Sequence, residues 1–235
     1  MSTERALIPI RILEGQAVDD DLAALLDPID VVLLGFHEVP EQTAPSQMRQ
    51  EFEERARVAL DSIADDFEGP VETRLVFTPD RDESIERVAA DVGATIVAHP
   101  NPLRPVTSML LVIDGPTDPT RLAECVAAIR AGRDIRITVL GVAGDEVSDL
   151  GNAVETARET LVAAAVPPTD IETRTVAADS LVDAVVDAAV GHDVTVMGEH
   201  APDWRTVLFG EVEERVAAES LGPVLEVLRG RPDEQ

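Results

Sequence analysis

The side chains that could carry out catalysis or bind a metal are few and scattered along this 235-residue chain. The four histidines (His37, His99, His192 and His200) show neither His-x-x-x-His spacing nor the Cys/His patterns that bind zinc, so we expect solvated or locally hydrogen-bonded imidazoles. Cys125, the one cysteine, lies in an apolar stretch and is predicted to pack in the core. The sequence contains no serine elbow and no Walker loop, and we expect no enzymatic activity.

A second candidate for chemistry is a glycine-bearing loop near the end of the chain. It begins at Gly198, passes through Ala201, and reaches Gly210 and Glu211 after eight further residues. A glycine loop that leads into a helix N-terminus presents backbone N–H groups that can hold a phosphate. Trp204 belongs to this loop, where we expect it to pack against neighbouring loop residues.

Short apolar runs that alternate with longer helical patterns must position these residues. The runs are continuously apolar, as in strands of a parallel sheet that is covered on both faces. The predicted strands are Leu7–Leu13, Asp30–His37, Val71–Phe77, Ala94–His99, Met109–Asp114, Ile135–Val142, Ile171–Ala177, Asp193–Gly198 and Pro223–Leu228. The alternation predicts right-handed βαβ units, and therefore a doubly wound α/β fold.

The stretches between the strands carry apolar residues at helical spacing. The acidic run at residues 19–21 is interpreted as a helix N-terminus. Three more predicted helices are Asp82–Val92, Ser180–Val190 and Leu208–Ala218. Two further helices are predicted from their apolar faces, which are Met48, Phe52, Ala56, Ala59 and Ile63 in one and Val147, Leu150, Val154, Ala157 and Leu161 in the other.

Several landmarks occur twice, in the same order, and predict a tandem duplication. The matching pairs are Ile12–Gly15 with Val112–Gly115, Val31–Gly35 with Ile137–Gly141, and Val71–Val76 with Ile171–Val176. The first of these matches aligns Glu14 with Asp114. The chain is therefore expected to contain two α/β units, each with a parallel sheet.

The two copies are unequal in length. Three prolines within His99–Pro105 end regular structure after the fourth strand of the first copy. We therefore predict a truncated first domain at residues 1–104, which lacks a final helix and a fifth strand. A complete second domain is predicted at residues 105–230, with a disordered tail at residues 231–235.

The net charge of −27 argues against nucleic acid and anionic membranes as partners. Self-repulsion of this size is screened in molar salt, so the composition predicts a halophilic protein from a salt-rich cytoplasm. The apolar runs are far shorter than the roughly 20 residues that a spanning helix needs. No secretion signal is recognised, and the protein is expected to be cytoplasmic and not embedded in a membrane.

The strand order, the element lengths and the tail from Gly198 to Val227 resemble the universal stress protein family. The resemblance covers most of residues 107–229 and, more weakly, residues 6–99. Nucleotide-binding members of the family carry Gly, two residues, Gly, nine residues, Gly, and then Ser or Thr after the fourth strand. They also carry an Asp at the end of the first strand that contacts the nucleoside. The resemblance implies that Asp114 corresponds to this Asp and Gly198 to the first Gly.

The loop departs from the family pattern at three points. Ala201 replaces the second Gly, the spacer before Gly210 has eight residues, and Glu211 replaces the hydroxyl residue. A carboxylate at roughly 4 Å from a phosphate would cost about 1–4 kcal/mol for each charge pair. We therefore interpret the site as vestigial and expect no bound cofactor, with ATP as the alternative. Its residues are Asp114, Val142, Gly198, Ala201, Gly210 and Glu211.

The expected function is that of a non-enzymatic stress-response regulator that acts through contacts with an unidentified protein. Relatives in the family usually pair through the fifth strand, so the resemblance implies a homodimer joined across Pro223–Leu228. Two alternatives stay open. One is an ATP- or AMP-binding sensor module, and the other is a soluble regulatory partner of a membrane transporter.

Overall fold

The computed structural model describes residues 4–39, 45–101, 103, 105–114, 118–143, 149–178, 180–199 and 222–229. The chain divides into two compact units, Met1–Pro100 and Asn101–Gln235. The division falls at residue 100, whereas the sequence suggested 104, so the proline-rich segment His99–Pro105 contributes residues to both units.

The first unit is a four-stranded parallel sheet with helices between its strands. Its strands, in the order β3-β2-β1-β4, all pair in parallel. The elements are β1 (Arg5–Arg11), a 3-10 turn (Ile12–Glu14), α1 (Asp20–Leu26), β2 (Asp30–Glu38), α2 (Pro45–Ala64), β3 (Val71–Thr78), α3 (Arg81–Val92) and β4 (Ile96–His99).

The second unit is a five-stranded parallel sheet in the order β9-β8-β5-β6-β7. Its elements are β5 (Ser108–Ile113), α4 (Pro119–Arg130), β6 (Arg136–Ala143), α5 (Leu150–Ala163), a 3-10 turn (Pro168–Asp170), β7 (Ile171–Ala177), α6 (Leu181–Ala189), β8 (Val194–Gly198) and β9 (Val224–Val227). The predicted α/β class and parallel sheets are confirmed. The predicted helix at 208–218 and tail at 231–235 lie outside the described residues.

Acidic side chains begin several of the helices, as the sequence suggested for the first. The carboxylate of Asp19 accepts a hydrogen bond from the N–H of Asp21 at 3.0 Å, which caps α1. Asp80 accepts from the N–H of Glu83 at 2.9 Å at the start of α3. Each cap satisfies a backbone donor that the helix itself leaves unpaired, and this fixes where the helix begins.

The apolar faces of the helices pack against the sheets and form the core. In α5 the four buried side chains are Leu150, Val154, Ala157 and Leu161, which confirms the predicted face; Val147 lies outside the described residues. In α2, Ala56 and Ile63 are buried as predicted, and Leu60 is buried at 2% exposure between them. Among the described residues, no helix combines the length and the apolar character needed to cross a membrane.

Two glycines let these helices approach the sheets closely. A Cβ atom at Gly141 of β6 would lie 2.7 Å from Cγ2 of Val154 and 3.1 Å from Cγ of Leu150. A Cβ atom at Gly35 of β2 would meet its nearest neighbour, Cδ1 of Leu75, at 3.3 Å. The second unit therefore depends more strictly on glycine at this position.

Candidate functional site

Three of the residues predicted for the site lie at the carboxyl edge of the second sheet. Ile113 pairs with Gly141, so Asp114 and Val142 each lie one residue beyond this pair. Asp114 is buried, with 6% of its surface exposed. Gly198 ends β8 on the other side of β5. Strand order reverses between β5 and β8, and open α/β sheets bind ligands at such a point.

The side chain of Val142 belongs to the core. It is 3% exposed and packs in a hydrophobic cluster with Leu140, Met197 and Val185, the last of which lies on α6. Because this side chain is held between the sheet and the helix, only the backbone of Val142 could contact a ligand at the edge.

Glu199 adds a second carboxylate to this edge, and the sequence analysis did not single it out. Its Oε2 accepts a hydrogen bond from the N–H of Arg229 at 3.0 Å, and its own N–H donates to the carbonyl of Val227 at 2.8 Å. Glu199 is therefore bound to the end of β9 and the residues after it through both its side chain and its backbone N–H. An acidic residue directly after a predicted strand was the available signal.

The remaining predicted site residues are Ala201, Gly210 and Glu211, and they lie outside the described residues, as do His200 and Trp204. The hypothesis that the Glu211 carboxylate occupies the anion position therefore stays a prediction.

Gly35 and Gly141, which the sequence comparison matched, allow the strand pairing of the two units to be aligned residue by residue. The corresponding pairs are Ile10 with Gly35 in the first unit and Ile113 with Gly141 in the second. The residue that follows Ile10 is Arg11. Arg11, and not Glu14, therefore occupies the position of Asp114 in the first unit.

The alignment of Glu14 with Asp114 was wrong because the loop after the first strand differs in length. In the first unit, residues 12–18 separate Arg11 from the helix cap Asp19. In the second unit, only residues 115–117 separate Asp114 from the cap Asp118. Aligning the two sequences without a gap in this loop therefore paired Glu14 with Asp114, although the two residues do not occupy equivalent positions.

A glutamine side chain lies at the carboxyl edge of the first sheet. Oε1 of Gln16 accepts a hydrogen bond from the N–H of Arg11 at 2.8 Å. Its Nε2 donates to the carbonyl of Pro100, directly after β4, at 3.5 Å. Val97 pairs with Leu7 as Thr195 pairs with Leu110, so Pro100 corresponds in register to Gly198 of the second unit.

His192 and the cysteine are held by local contacts. Nδ1 of His192 lies 2.8 Å from the carbonyl oxygen of Ala188, and Nε2 lies 2.9 Å from Oγ1 of Thr138, as expected for a locally hydrogen-bonded imidazole. Cys125 has no exposed surface, which confirms its place in the core. The described residues contain no group of three or more His, Cys, Asp or Glu that could hold a metal ion.

Asp193 has a shifted pKa, and it lies at the amino edge of the second sheet. Burial would raise its pKa, but backbone and side-chain hydrogen bonds from Thr107 and Ser108 outweigh this effect, so the pKa lies below its ordinary value. The four donors bond Oδ2 at 2.9–3.0 Å. This carboxylate ties β8 to the start of β5 and lies away from the ligand edge.

Comparison with solved structures identifies the fold. The chain is similar to a universal stress protein from Archaeoglobus fulgidus, with 12% identity, a TM-score of 0.62, and 97% of each chain covered. At this identity the similarity shows the fold alone. The chain therefore has the universal stress protein fold, as the sequence suggested.

Two other structures are less similar. A universal stress protein in complex with cAMP has 24% identity and a TM-score of 0.39, over 52% of this chain and 98% of that chain. A functionally unknown protein from Pseudomonas aeruginosa has 13% identity and a TM-score of 0.49, over 96% and 92%. These TM-scores are too low to support an argument. Neither a family model nor a curated protein matches the chain.

Proposed function

We propose that this chain is a non-enzymatic stress-response regulator of the universal stress protein type, formed from two copies of one unit, the first truncated. It acts in a salt-rich cytoplasm through contacts with another protein, and its nucleotide sites have degenerated. The fold supports the family, since the similarity to the Archaeoglobus protein covers 97% of each chain.

The observation that carries this proposal is Arg11. In nucleotide-binding relatives, the residue at this strand end is an Asp that contacts the nucleoside, and an ionised carboxylate can only accept hydrogen bonds. A guanidinium group has five N–H donors and no acceptor, so Arg11 cannot make the same contact. The first unit therefore lacks the group on which nucleoside recognition depends.

The second unit keeps Asp114 and Gly198 but is expected to fail at the phosphates. Glu211 would face them with a negative charge, at about 1–4 kcal/mol for each charge pair. High salt weakens this repulsion without removing it at contact range. The same carboxylate would also interact favourably with the N-terminus of the helix predicted to begin there.

Calorimetric titration with ATP and AMP in molar KCl tests the proposal. We expect no heat of binding for the wild type at micromolar ligand. The variant Glu211→Ser, which restores the family's hydroxyl, should bind more tightly than Glu213→Ser, which removes a charge two residues away. Micromolar or tighter ATP affinity in the wild type would refute the proposal.

A nucleotide-sensing module is the second candidate, and the placement of Asp114 favours it. This residue is buried at the end of β5, beside the end of β8 at Gly198. Such a module would use Asp114, Val142, Gly198 and Gly210 in a shifted loop geometry. A ligand at 100 times its Kd stabilises the folded state by about 2.7 kcal/mol. AMP would then raise the melting temperature of the wild type but not of Asp114→Ala.

The homodimer across Pro223–Leu228 stays a prediction, and so does the alternative that the chain regulates a membrane transporter. The four residues of β9 are each at most 8% exposed within the single chain, which leaves them little surface for a second copy. Light scattering of the wild type in molar KCl tests the dimer. Deletion of residues 222–235 should reduce a dimeric mass to that of a monomer, and an unchanged mass would contradict this interface.

A further inference from the structure

The loop after β1 brings the side chain of Gln16 to the gap between the carboxyl ends of β1 and β4. The chain reverses at Gly15, whose φ of 76° is a left-handed conformation that glycine adopts without strain. Val18, at 4% exposure, anchors the returning chain in the core. Gln16 is held between these two points and bonds the N–H of Arg11 and the carbonyl of Pro100.

Pro9 explains why a side chain is needed in this gap. Alternate N–H groups of a strand point towards the same neighbour, and the N–H of Arg5 bonds Oγ1 of Thr95, just before β4. Residues 9 and 11 therefore direct their backbone nitrogens towards β4 as well. Proline has no N–H, so the ladder between β1 and β4 loses a donor at residue 9.

The pairing of the strands agrees with this loss. β1 and β4 pair only at Ala6↔Ile96 and Leu7↔Val97. The ladder therefore ends before the carboxyl ends of the strands, and there the amide of Gln16 bonds both chains instead. In the second unit, the residue that corresponds to Pro9 is Val112, which retains its donor, and the pairing of β5 with β8 extends one residue pair further, to Leu111↔Val196.

We propose that Gln16 is an internal latch that closes the ligand crevice of the first unit. It joins Arg11 to Pro100, the two positions that correspond to Asp114 and Gly198 of the second unit. A protein amide thus fills the place where a ligand would enter, and nucleotide is excluded from this unit. The latch closes the first unit whether or not the second unit binds a nucleotide.

Amide hydrogen exchange at Arg11 tests the latch. Loss of one hydrogen bond of about 1 kcal/mol should speed exchange of this N–H about fivefold in Gln16→Ala and in Gln16→Met, which keeps the length of the side chain. Gln16→Glu retains an acceptor and should keep most of the protection. Glu14→Gln changes an exposed residue of the same loop and is the matched control, with no change expected.

Pro9→Val provides a second, independent variant. It restores the missing N–H with the residue found at the corresponding position of the second unit. In this background Gln16→Ala should cost less stability than it does in the wild type, because β1 and β4 can pair further. An equal cost in both backgrounds would contradict the role assigned to Pro9.

Millimolar AMP distinguishes the latch from the proposed function. AMP should leave exchange at Arg11 unchanged in the wild type, even if it slows exchange near Asp114. Slower exchange near Asp114 would count against a degenerate second site and leave the latch standing. Protection of Arg11 by AMP in the wild type, or unchanged exchange in Gln16→Ala, would overturn the latch.

Discussion

At the scale of single residues, Thr195 is expected to lower the stability of the second unit. This threonine of β8 is 1% exposed, and its hydroxyl has no hydrogen-bond partner in the described part of the chain. Burying a hydroxyl without a partner costs free energy that a methyl group of the same shape does not. Val97 occupies the corresponding position of the first unit, which indicates that valine fits this place in the fold.

We predict that Thr195→Val raises the free energy of unfolding by about 1 kcal/mol. Urea unfolding in molar KCl measures the change. Thr138→Val is the matched control and should lower the free energy of unfolding, since it removes the hydroxyl that bonds Nε2 of His192. A loss of stability in Thr195→Val would show that the hydroxyl has a partner.

Asp193→Asn should destabilise the protein at neutral pH, because a neutral amide oxygen accepts these four hydrogen bonds more weakly than an ionised carboxylate does. The pKa of Asp193 is depressed in the folded state, so its contribution is present above the unfolded value of roughly 3.9. That contribution is lost as pH falls through the lower folded pKa. The difference between variant and wild type should therefore shrink below about pH 4.

Urea midpoints between pH 7 and the acid limit measure this dependence. Asp134→Asn, at an exposed position of the same unit, is the control and should leave the midpoint unchanged at neutral pH. A difference between Asp193→Asn and the wild type that grows towards acid pH would contradict the assignment.

At the scale of elements, the two matched glycines provide an internal comparison of helix-to-sheet packing. We predict that Gly141→Ala lowers the free energy of unfolding by about 1–3 kcal/mol, because the added methyl group overlaps Val154 of α5. Gly35→Ala should cost less, since its nearest neighbours lie at 3.3–3.4 Å and can move slightly. Thermal unfolding followed by circular dichroism checks both, and equal losses would contradict the argument.

The elements themselves could be predicted because their signals are local. Continuous apolar runs indicated every strand of the two sheets, and the spacing of apolar residues indicated the buried face of α5. The predicted end of β1 at Leu13 was wrong, since the apolar pair after Arg11 lies in a 3-10 turn. Apolar character alone does not distinguish the end of a strand from a buried turn. Here the turn ends at Gly15, which adopts a left-handed conformation.

The contacts at the candidate site could be predicted only in part. Asp114 and Gly198 lie at strand ends because strand order places them there. The bond from Gln16 to Pro100 joins residues far apart in the sequence, and no local pattern contains it. The partly buried ion pair between Arg130 and Asp170, at 2.7 Å, was missed for the same reason.

At the scale of the whole molecule, the net charge of −27 is the dominant property. We predict that the urea midpoint rises as KCl increases, most steeply below about 1 M, where the screening length has fallen to about 3 Å. The reason is that salt weakens repulsion among the carboxylates in the compact state. NaCl at the same ionic strength is the control and should act similarly. A flat or falling curve would contradict a halophilic protein.

The full burial of Cys125 gives this protein a native chemical reporter. Because this thiol is the only one in the chain and has no exposed surface, a maleimide reagent reaches it when α4 leaves the sheet. The fraction of labelled protein, followed over time, then measures how often α4 opens, and the reaction can be run in molar salt or in a crude extract. Rates of opening could thus be compared among variants by mass spectrometry, without first engineering a label into the chain.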